Sequence, residues 1–468
     1  MTWLPVSVLF LGIILILVVD LIFREKAKVY TVILSVLTLS FSSLMVIQTK
    51  GTNAGSMFFF GDFYVFFSIV GLLSSIIVVF SAWKDYSVEL DLGVFFSLLL
   101  LANAGGILIA ASRNFIPLYL GYELVSIPTY AMIAFKKKNR SSAESGLKIF
   151  LLGALSSAII IYGLAMYYGA TGTLQMGGDI INHSKTLAIA ALVLITVGSS
   201  FKIGLVPFHY WIADVYSGAS VSVVNFLSAS SKKMAFAFVF QIFFVGMSSW
   251  HNSYTYLFAI LATFSVIVGN IVAVVQDRLL RIIAYSTIAQ AGYIVMGIVA
   301  YGEGNTFTKE LAMKGILFHI TAHVLMKGAA IAAILVVISS TKSDHINNFR
   351  GLFHTSPITA SALAIAFFSL MGIPPAAGFY GKFFLFLSLV EAGYEWLALI
   401  GIIGSAISIY YYGKVIRIMV DQPESKEKLN SFTPINVLLV VLTILTLLFG
   451  IFTQDLAIIA ENIVAQNP

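Results

Sequence analysis

Apolar runs of about 20 residues, the length needed to cross the hydrocarbon core of a bilayer, recur from one end of this chain to the other. Nothing else in the sequence constrains the fold as strongly. Backbone polar groups have no water to bond inside a membrane, and a helix satisfies them within its own segment. Only 10% of the 468 residues are charged and 59% are hydrophobic, against about 25% charged in a soluble domain. The solvent of this chain is mainly lipid.

Fourteen spans are predicted, near residues 4–23, 29–48, 62–83, 92–112, 114–135, 143–168, 186–206, 221–248, 253–276, 279–301, 310–340, 357–390, 395–420 and 434–455. The first lacks a basic leader and a small-residue cleavage site, so it reads as a retained span. The polar connections, such as 169–185 and 421–433, are too short to fold alone. Prolines interrupt the seventh span at Pro207 and the twelfth at Pro374–Pro375. The spacing between these breaks places them in opposite membrane orientations, the arrangement that marks inverted repeats around an ion site at the midplane. The expected fold is an all-α polytopic membrane protein of about 14 transmembrane helices. Residues 1–90 form an N-terminal three-helix segment, 91–248 and 249–420 form two inverted five-helix repeats with one broken helix each, and 421–468 form a final span and tail.

Lysine and arginine are distributed unevenly over the connections. Those after odd-numbered spans carry Arg24, Lys26, Lys28, Lys84, the run KKKNR at 136–140, Arg278, Arg281, Lys342, Arg350, Lys426 and Lys428; the others hold little beyond Lys50, Arg113, Lys185 and Lys309. Basic loops stay in the cytoplasm, so both termini are expected outside it. The net charge of +6 is spread over these loops and is not a nucleic-acid signal.

The chain has no cysteine, which excludes disulfides and thiolate-held metals or iron–sulfur clusters within it. It has no phosphate-cradling loop, dinucleotide fingerprint or nucleophile motif. Proton or ion movement remains as the chemistry to explain.

Charged groups within the spans carry that explanation. A charge at the bilayer centre costs roughly 2.5–3.5 kcal/mol on insertion scales, and Glu123, Lys148, Lys202, Lys232, Lys233, Lys327 and Lys382 all fall in or near spans. Glu123 is either bonded by nearby serine and tyrosine hydroxyls or is the counter-ion of an intramembrane lysine. Lys202 and Lys232 lie thirty residues apart on the seventh and eighth spans; desolvation makes a lysine a usable proton acceptor and donor. Lys233 faces about 100° away from Lys232 on a regular helix and is expected to snorkel, as is Lys148 near the start of the sixth span. Helix breaks beside Lys202 and Lys382 argue against snorkelling there, because unwound backbone at membrane depth needs protein or water around it. In LFHITAHVLMKG, His319, His323 and Lys327 follow at successive i+4 steps on one face. A metal pair, core histidines and a hydrated proton relay all fit that spacing. His209 and Asp214, past the break, are either relay members or satisfied polar groups. Asp20, Asp62 and Asp85 sit near span ends and are expected to meet solvent.

Three stretches resemble the antiporter-like membrane subunits of respiratory complex I and its relatives: FKIGLVPFHYWIADVYSGASVSVVNFLSASSK from 201, DRLLRIIAYSTIAQAGYI at 277–294 and LMGIPPAAGFYGKF at 370–383. The resemblance covers about residues 60–420 and is most like the N-type member. It implies that Glu123, Lys202, Lys232 and Lys382 form a mid-membrane proton relay, with His319, His323 and Lys327 linking its central and exit parts. It also implies work within a proton-translocating, quinone-reducing complex, beside further antiporter-like and small membrane subunits in the cell (inner) membrane. Quinone, flavin and iron–sulfur clusters would belong to partner subunits, with no cofactor in this chain. The alternative within the same resemblance is a D-type subunit of a multisubunit sodium/proton antiporter or of a membrane-bound hydrogenase-type complex. One departure touches the eighth span: Ser220 and Ser222 stand where prolines are common in the family.

Overall fold

A computed structural model describes residues 2–85, 92–136, 139–178, 185–423, 434–451 and 455–466. Its helices are α1 (Leu4–Phe23), α2 (Ala27–Gln48), α3 (Asp62–Lys84), α4 (Leu92–Ala111), α5 (Phe115–Ile133), α6 (Arg140–Thr171), α7 (Lys185–Ile203), α8 (Trp211–Gly218), α9 (Val221–Asn225), α10 (Lys232–Phe240), α11 (His251–Val274), α12 (Leu279–Glu303), α13 (Thr306–Thr341), α14 (Leu352–Thr355), α15 (Pro357–Met371), α16 (Ala377–Glu391), α17 (Glu395–Val420), α18 (Pro434–Ile451) and α19 (Asp455–Ala465). The chain is nearly all helical; the departure is a short antiparallel pair, Asn53–Ala54 with Phe58–Phe59. Among the described residues, eleven helices are long and apolar enough to cross a membrane.

Asparagine sets three of the helix starts. Asn114, Asn139 and Asn305 each turn a side-chain oxygen onto an N–H of the first turn, satisfying donors that have no partner within the helix. Burial then sorts the helices. The most apolar windows of α12 and α13 are 94% and 89% buried, against 17% for α1. The first two are therefore the interior of the bundle, and α1 lies at its rim with Leu11, Ile14, Leu21 and Ile22 exposed, as a lipid-facing surface requires. Four elements run on from one another over Val221–Gly246: α9, a π turn (Phe226–Ser231), α10 and a second π turn (Gln241–Gly246). Almost every residue of this stretch is buried.

The two chain ends lie together. Trp3 packs edge-on against Phe58 and Phe60, and Gln466 bonds both the backbone N–H and the carboxylate of Asp62. Helix α3 starts at that end and finishes at Lys84, which lines a cavity of about 330 Å³ with Lys136, Arg278 and Lys342. Basic residues from four odd-numbered connections or their flanks thus gather at one end, opposite both termini.

Two expected solvent contacts are corrected here. Asp62 is buried, bonded to Lys50 at 2.7 Å as well as to Gln466. Asp85 is also buried, and its carboxylate accepts from Ser222 N at 3.1 Å and Ser222 Oγ at 3.0 Å. Both sit at span ends, but each closes the end of a neighbouring segment. The Ser222 N–H that Asp85 uses is the group a proline there would lack.

Candidate functional site

The seventh span breaks as expected, and the twelfth breaks the same way. Helix α7 ends at Ile203 and α15 at Met371; Gly204 (φ +75) and Gly372 (φ +86) follow, each with a cis proline three residues on, Pro207 and Pro375. Positive φ is a conformation that glycine takes without the clash a Cβ would bring. In both breaks the next N–H, Leu205 or Ile373, returns to the carbonyl four residues before the glycine, Ser200 or Phe368. The first break is fixed further by Trp211 Nε1 donating to Phe201 O at 3.0 Å and Val206 N to Ser265 Oγ at 3.0 Å.

Lys202 is buried, donates to Ser126 Oγ on α5 at 2.7 Å, and lies 5.3 and 5.2 Å from the ring centres of Tyr122 and Tyr130. Glu123 is one turn from Ser126, yet its carboxylate bonds Ser157 on α6, which in turn meets Tyr119. It faces a groove of about 720 Å³ between α5 and α6, lined also by Tyr130. Among the described residues Glu123 and Lys202 form no direct ion pair. The two expected roles of Glu123 thus separate in space: hydroxyl groups hold it, and Tyr130 borders both its groove and Lys202.

The eighth span reverses one expectation. Lys233 does not snorkel; it is 1% exposed, lies 2.6 Å from His323 Nδ1 and donates to Ser228 O at 3.0 Å. Lys232 is also buried, 5.9 Å from the Trp211 ring, and its Nζ has no hydrogen-bond partner among the described residues. Both lysines are enclosed because the whole of α10 is packed inside the bundle.

From His323 the polar groups run toward the second break. His319 lies one turn away along α13, with ring centres 6.4 Å apart. His319 Nε2 meets Gln290 Oε1 at 2.8 Å, and Gln290 Nε2 donates to Leu370 O at 3.3 Å. Lys382 Nζ donates to the same Leu370 O at 2.8 Å, to Met371 O at 3.1 Å and to Ser405 Oγ at 2.8 Å. Four groups of the file (Lys233, His323, His319 and Lys382) can take a proton; Gln290 cannot, and holds His319 and the α15 terminus in fixed relation. Sequence reasoning passed over Gln290, an uncharged residue in an apolar helix. Its signal was its place inside the tenth-span motif, one turn before Tyr293, whose ring lies 4.9 Å from Lys382 Nζ.

Lys327, the third member of the α13 face, turns elsewhere. Its ammonium donates to Ile283 O and Ser286 Oγ on α12 at 3.0 and 2.9 Å, and Ser286 bonds Tyr412. It is a branch beside the file and not a link in it. His209 stacks on Tyr210. Asp214 pairs with Lys148, which also holds Glu144, at a part-exposed position, so Lys148 reaches the rim as expected. No group of three or more His, Asp or Glu among the described residues is placed to hold a metal.

The family model described as NADH:quinone oxidoreductase/Mrp antiporter, TM, matches residues 112–408. A protein of Desulforamulus reducens described as NADH-quinone oxidoreductase subunit N is 36% identical over 426 residues, covering 90% of this chain and 88% of its own. One from Methanosarcina mazei, described as F(420)H(2) dehydrogenase subunit N, is also 36% identical, covering 87% of this chain and 83% of its own. A chain of respiratory complex I from Thermus thermophilus, solved with bound aureothin, superposes with a TM-score of 0.82 at 27% identity, covering 98% of this chain and all of that one. The matched region takes in both breaks and every residue of the buried file, and the chain belongs to the NADH:quinone oxidoreductase/Mrp antiporter transmembrane family.

Proposed function

We propose that this chain is the N-type, proton-translocating membrane subunit of a complex I-like quinone-reducing oxidoreductase. It moves protons through Glu123, Lys202, the Lys232–Lys233 pair, His323, His319 and Lys382 while other subunits transfer the electrons. The observation that carries this reading is the buried run of polar groups from Lys233, bonded to His323, past His319 one turn along α13, and on through Gln290 to the α15 terminus held by Lys382. Each buried charge costs a few kcal/mol and like charges repel, so the file holds fewer protons than it has sites. A change at one end therefore shifts occupancy at the other. The carboxylate of Glu123 lies on the α5–α6 groove at the rim, where a neighbouring subunit can act on it without entering the bundle.

Fourteen spans also fit. Besides the eleven long helices, α5, the continuous Val221–Gly246 stack and the α15–α16 pair are the remaining crossings. The shared backbone of the two breaks supports the inverted repeats. Basic residues at the end opposite the termini support termini outside the cytoplasm. Quinone, flavin and iron–sulfur centres belong to partner subunits, among them further antiporter-like and small membrane subunits. The subunit N names of the relatives favour this over the D-type antiporter alternative.

The test is proton uptake per quinone reduced by the whole complex in proteoliposomes. Lys202→Ala and Glu123→Ala are expected to lower that ratio severalfold, while Lys148→Ala leaves it unchanged. Equal and negligible effects of all three would overturn the assignment, and purification of an all-membrane assembly without redox subunits would favour the antiporter.

A further inference from the structure

In an α-helix the carbonyl of residue i accepts the N–H of residue i+4. For Leu370 and Met371 those residues are Pro374 and Pro375, which have no N–H. Gly372 turns the chain away, and its N–H and that of Ile373 return to Phe368 and Ser369. The double proline thus leaves two buried carbonyls without helical partners at the negative end of α15. Lys382 Nζ holds both, and Ser405 Oγ, itself bonded to Met371 O at 2.8 Å, completes three oxygens around it.

The donor set defines an occupant. All three oxygens are neutral, so nothing offsets a second positive charge. The 2.8–3.1 Å spacing is wider than the ~2.3–2.6 Å of calcium or ~2.0–2.1 Å of magnesium. The face of Tyr293, 4.9 Å from the ammonium, adds a cation-attracting surface. Beside the oxygens lies a cavity of about 400 Å³, lined by Gly372, Phe379 and Phe383, into which a neutral amine can withdraw. The first break lacks this arrangement. There Val206 keeps its N–H, used by Ser265, and Lys232 Nζ lies beside Gly204 without a hydrogen bond among the described residues.

We propose that the α15 terminus is a monovalent-cation site in which the Lys382 ammonium is a tethered occupant, exchangeable with a free alkali ion of potassium size. The proposal goes beyond the relay reading and does not depend on it, because its test reads binding and not pumping. The whole complex is purified with Lys382→Ala, which removes the ammonium and leaves the three oxygens, and equilibrium binding of radioactive rubidium and sodium is measured. One saturable rubidium site is expected, absent from the unaltered complex. Sodium binds it more weakly, and adding Ser405→Val weakens rubidium by about tenfold, one ligand in three being lost. Lys382→Met, whose long side chain still fills the position, is expected to show no site. Assembled Lys382→Ala complex without saturable binding, or with binding indifferent to Ser405→Val, overturns the proposal. Should Lys382→Ala assemble in potassium chloride but not in choline chloride, that rescue reports the same site; failure in both salts counts against it.

Discussion

Replacing Lys233 and His323 by alanine, singly and together, tests the file at its shortest link. The ammonium lies 2.6 Å from the imidazole with both groups buried. A hydrogen bond to a charged group contributes about 1.5–3 kcal/mol, and one factor of ten corresponds to ~1.36 kcal/mol. Losing this bond therefore weakens the coupling between the two groups by roughly 10–150-fold. Among the described residues Lys232 has no hydrogen bond to lose, so Lys232→Ala is expected to cost less. The assay is initial proton uptake in proteoliposomes divided by quinone reduction, with an uncoupler control showing that electron transfer persists. Lys233→Ala and His323→Ala should each depress the ratio strongly, and the double variant should be no worse than the more severe single one. Such non-additivity is the signature of two groups acting through one interaction. If the double loss equals the product of the single losses, or if Lys233→Ala pumps normally while Lys232→Ala does not, the route through His323 is wrong.

Three further outcomes follow from individual contacts. Asp85→Ala removes both hydrogen bonds at the start of α9, one of them from a backbone N–H; a loss of about 1.5–3 kcal/mol is expected as a lower thermal midpoint of the purified complex, with Asp85→Asn recovering part of it. Gly378→Ala would drive a methyl group into the Ser369 carbonyl, a backbone contact that no rotamer relieves. It should cost at least ~1–3 kcal/mol and reduce the amount of assembled complex. Lys148→Ala breaks only exposed pairs with Glu144 and Asp214, so it should leave both the thermal midpoint and the pumping ratio unchanged.

Much of the bundle was legible because its cause is local. A run of apolar residues needs only its own length to mark a span, and the predicted starts at 279, 395 and 434 coincide with those of α12, α17 and α18. The candidate lysines stood out for the same reason, since a charge in hydrocarbon is costly wherever it sits. The choice between Lys232 and Lys233 was not legible. A regular 3.6-residue period sets the two lysines about 100° apart, but every residue of α10 is buried, so neither direction leads to lipid. That enclosure depends on helices from distant parts of the chain. Asp85 was misread because its neighbours in sequence are polar, while its partner, Ser222, lies far along the chain. Helix α19 was not anticipated at all; its 11 residues are too few for a span, and Ala460 and Ile463 become buried only once α13 and α3 are in place.

The two breaks show how one backbone device yields two different sites. Each has a glycine at positive φ, a cis proline three residues later and the same returning hydrogen bond, yet the lysines enter from different places. Lys202 stands on the helix before its break and reaches across to Ser126 on α5; Lys382 stands on the helix after its break and reaches back to the carbonyls of the one before. The breaks also differ in sequence at the position before the cis proline. Where the first break has Val206, whose N–H is present, the second has Pro374. That removes a second donor and leaves a pair of carbonyls without helical partners, which Lys382 bridges beside Gln290 and Ser405. Replacing Pro374 by valine adds an N–H close to the two carbonyls, a competitor for the oxygens that Lys382 uses, while leaving Pro375 and the turn at Gly372 in place. The expected result is a complex that assembles and reduces quinone but moves fewer protons, with Gln290 and His319 still in position. If Pro374→Val pumped normally, the double proline would be serving the turn alone, and the two-carbonyl grip on Lys382 would be incidental to translocation.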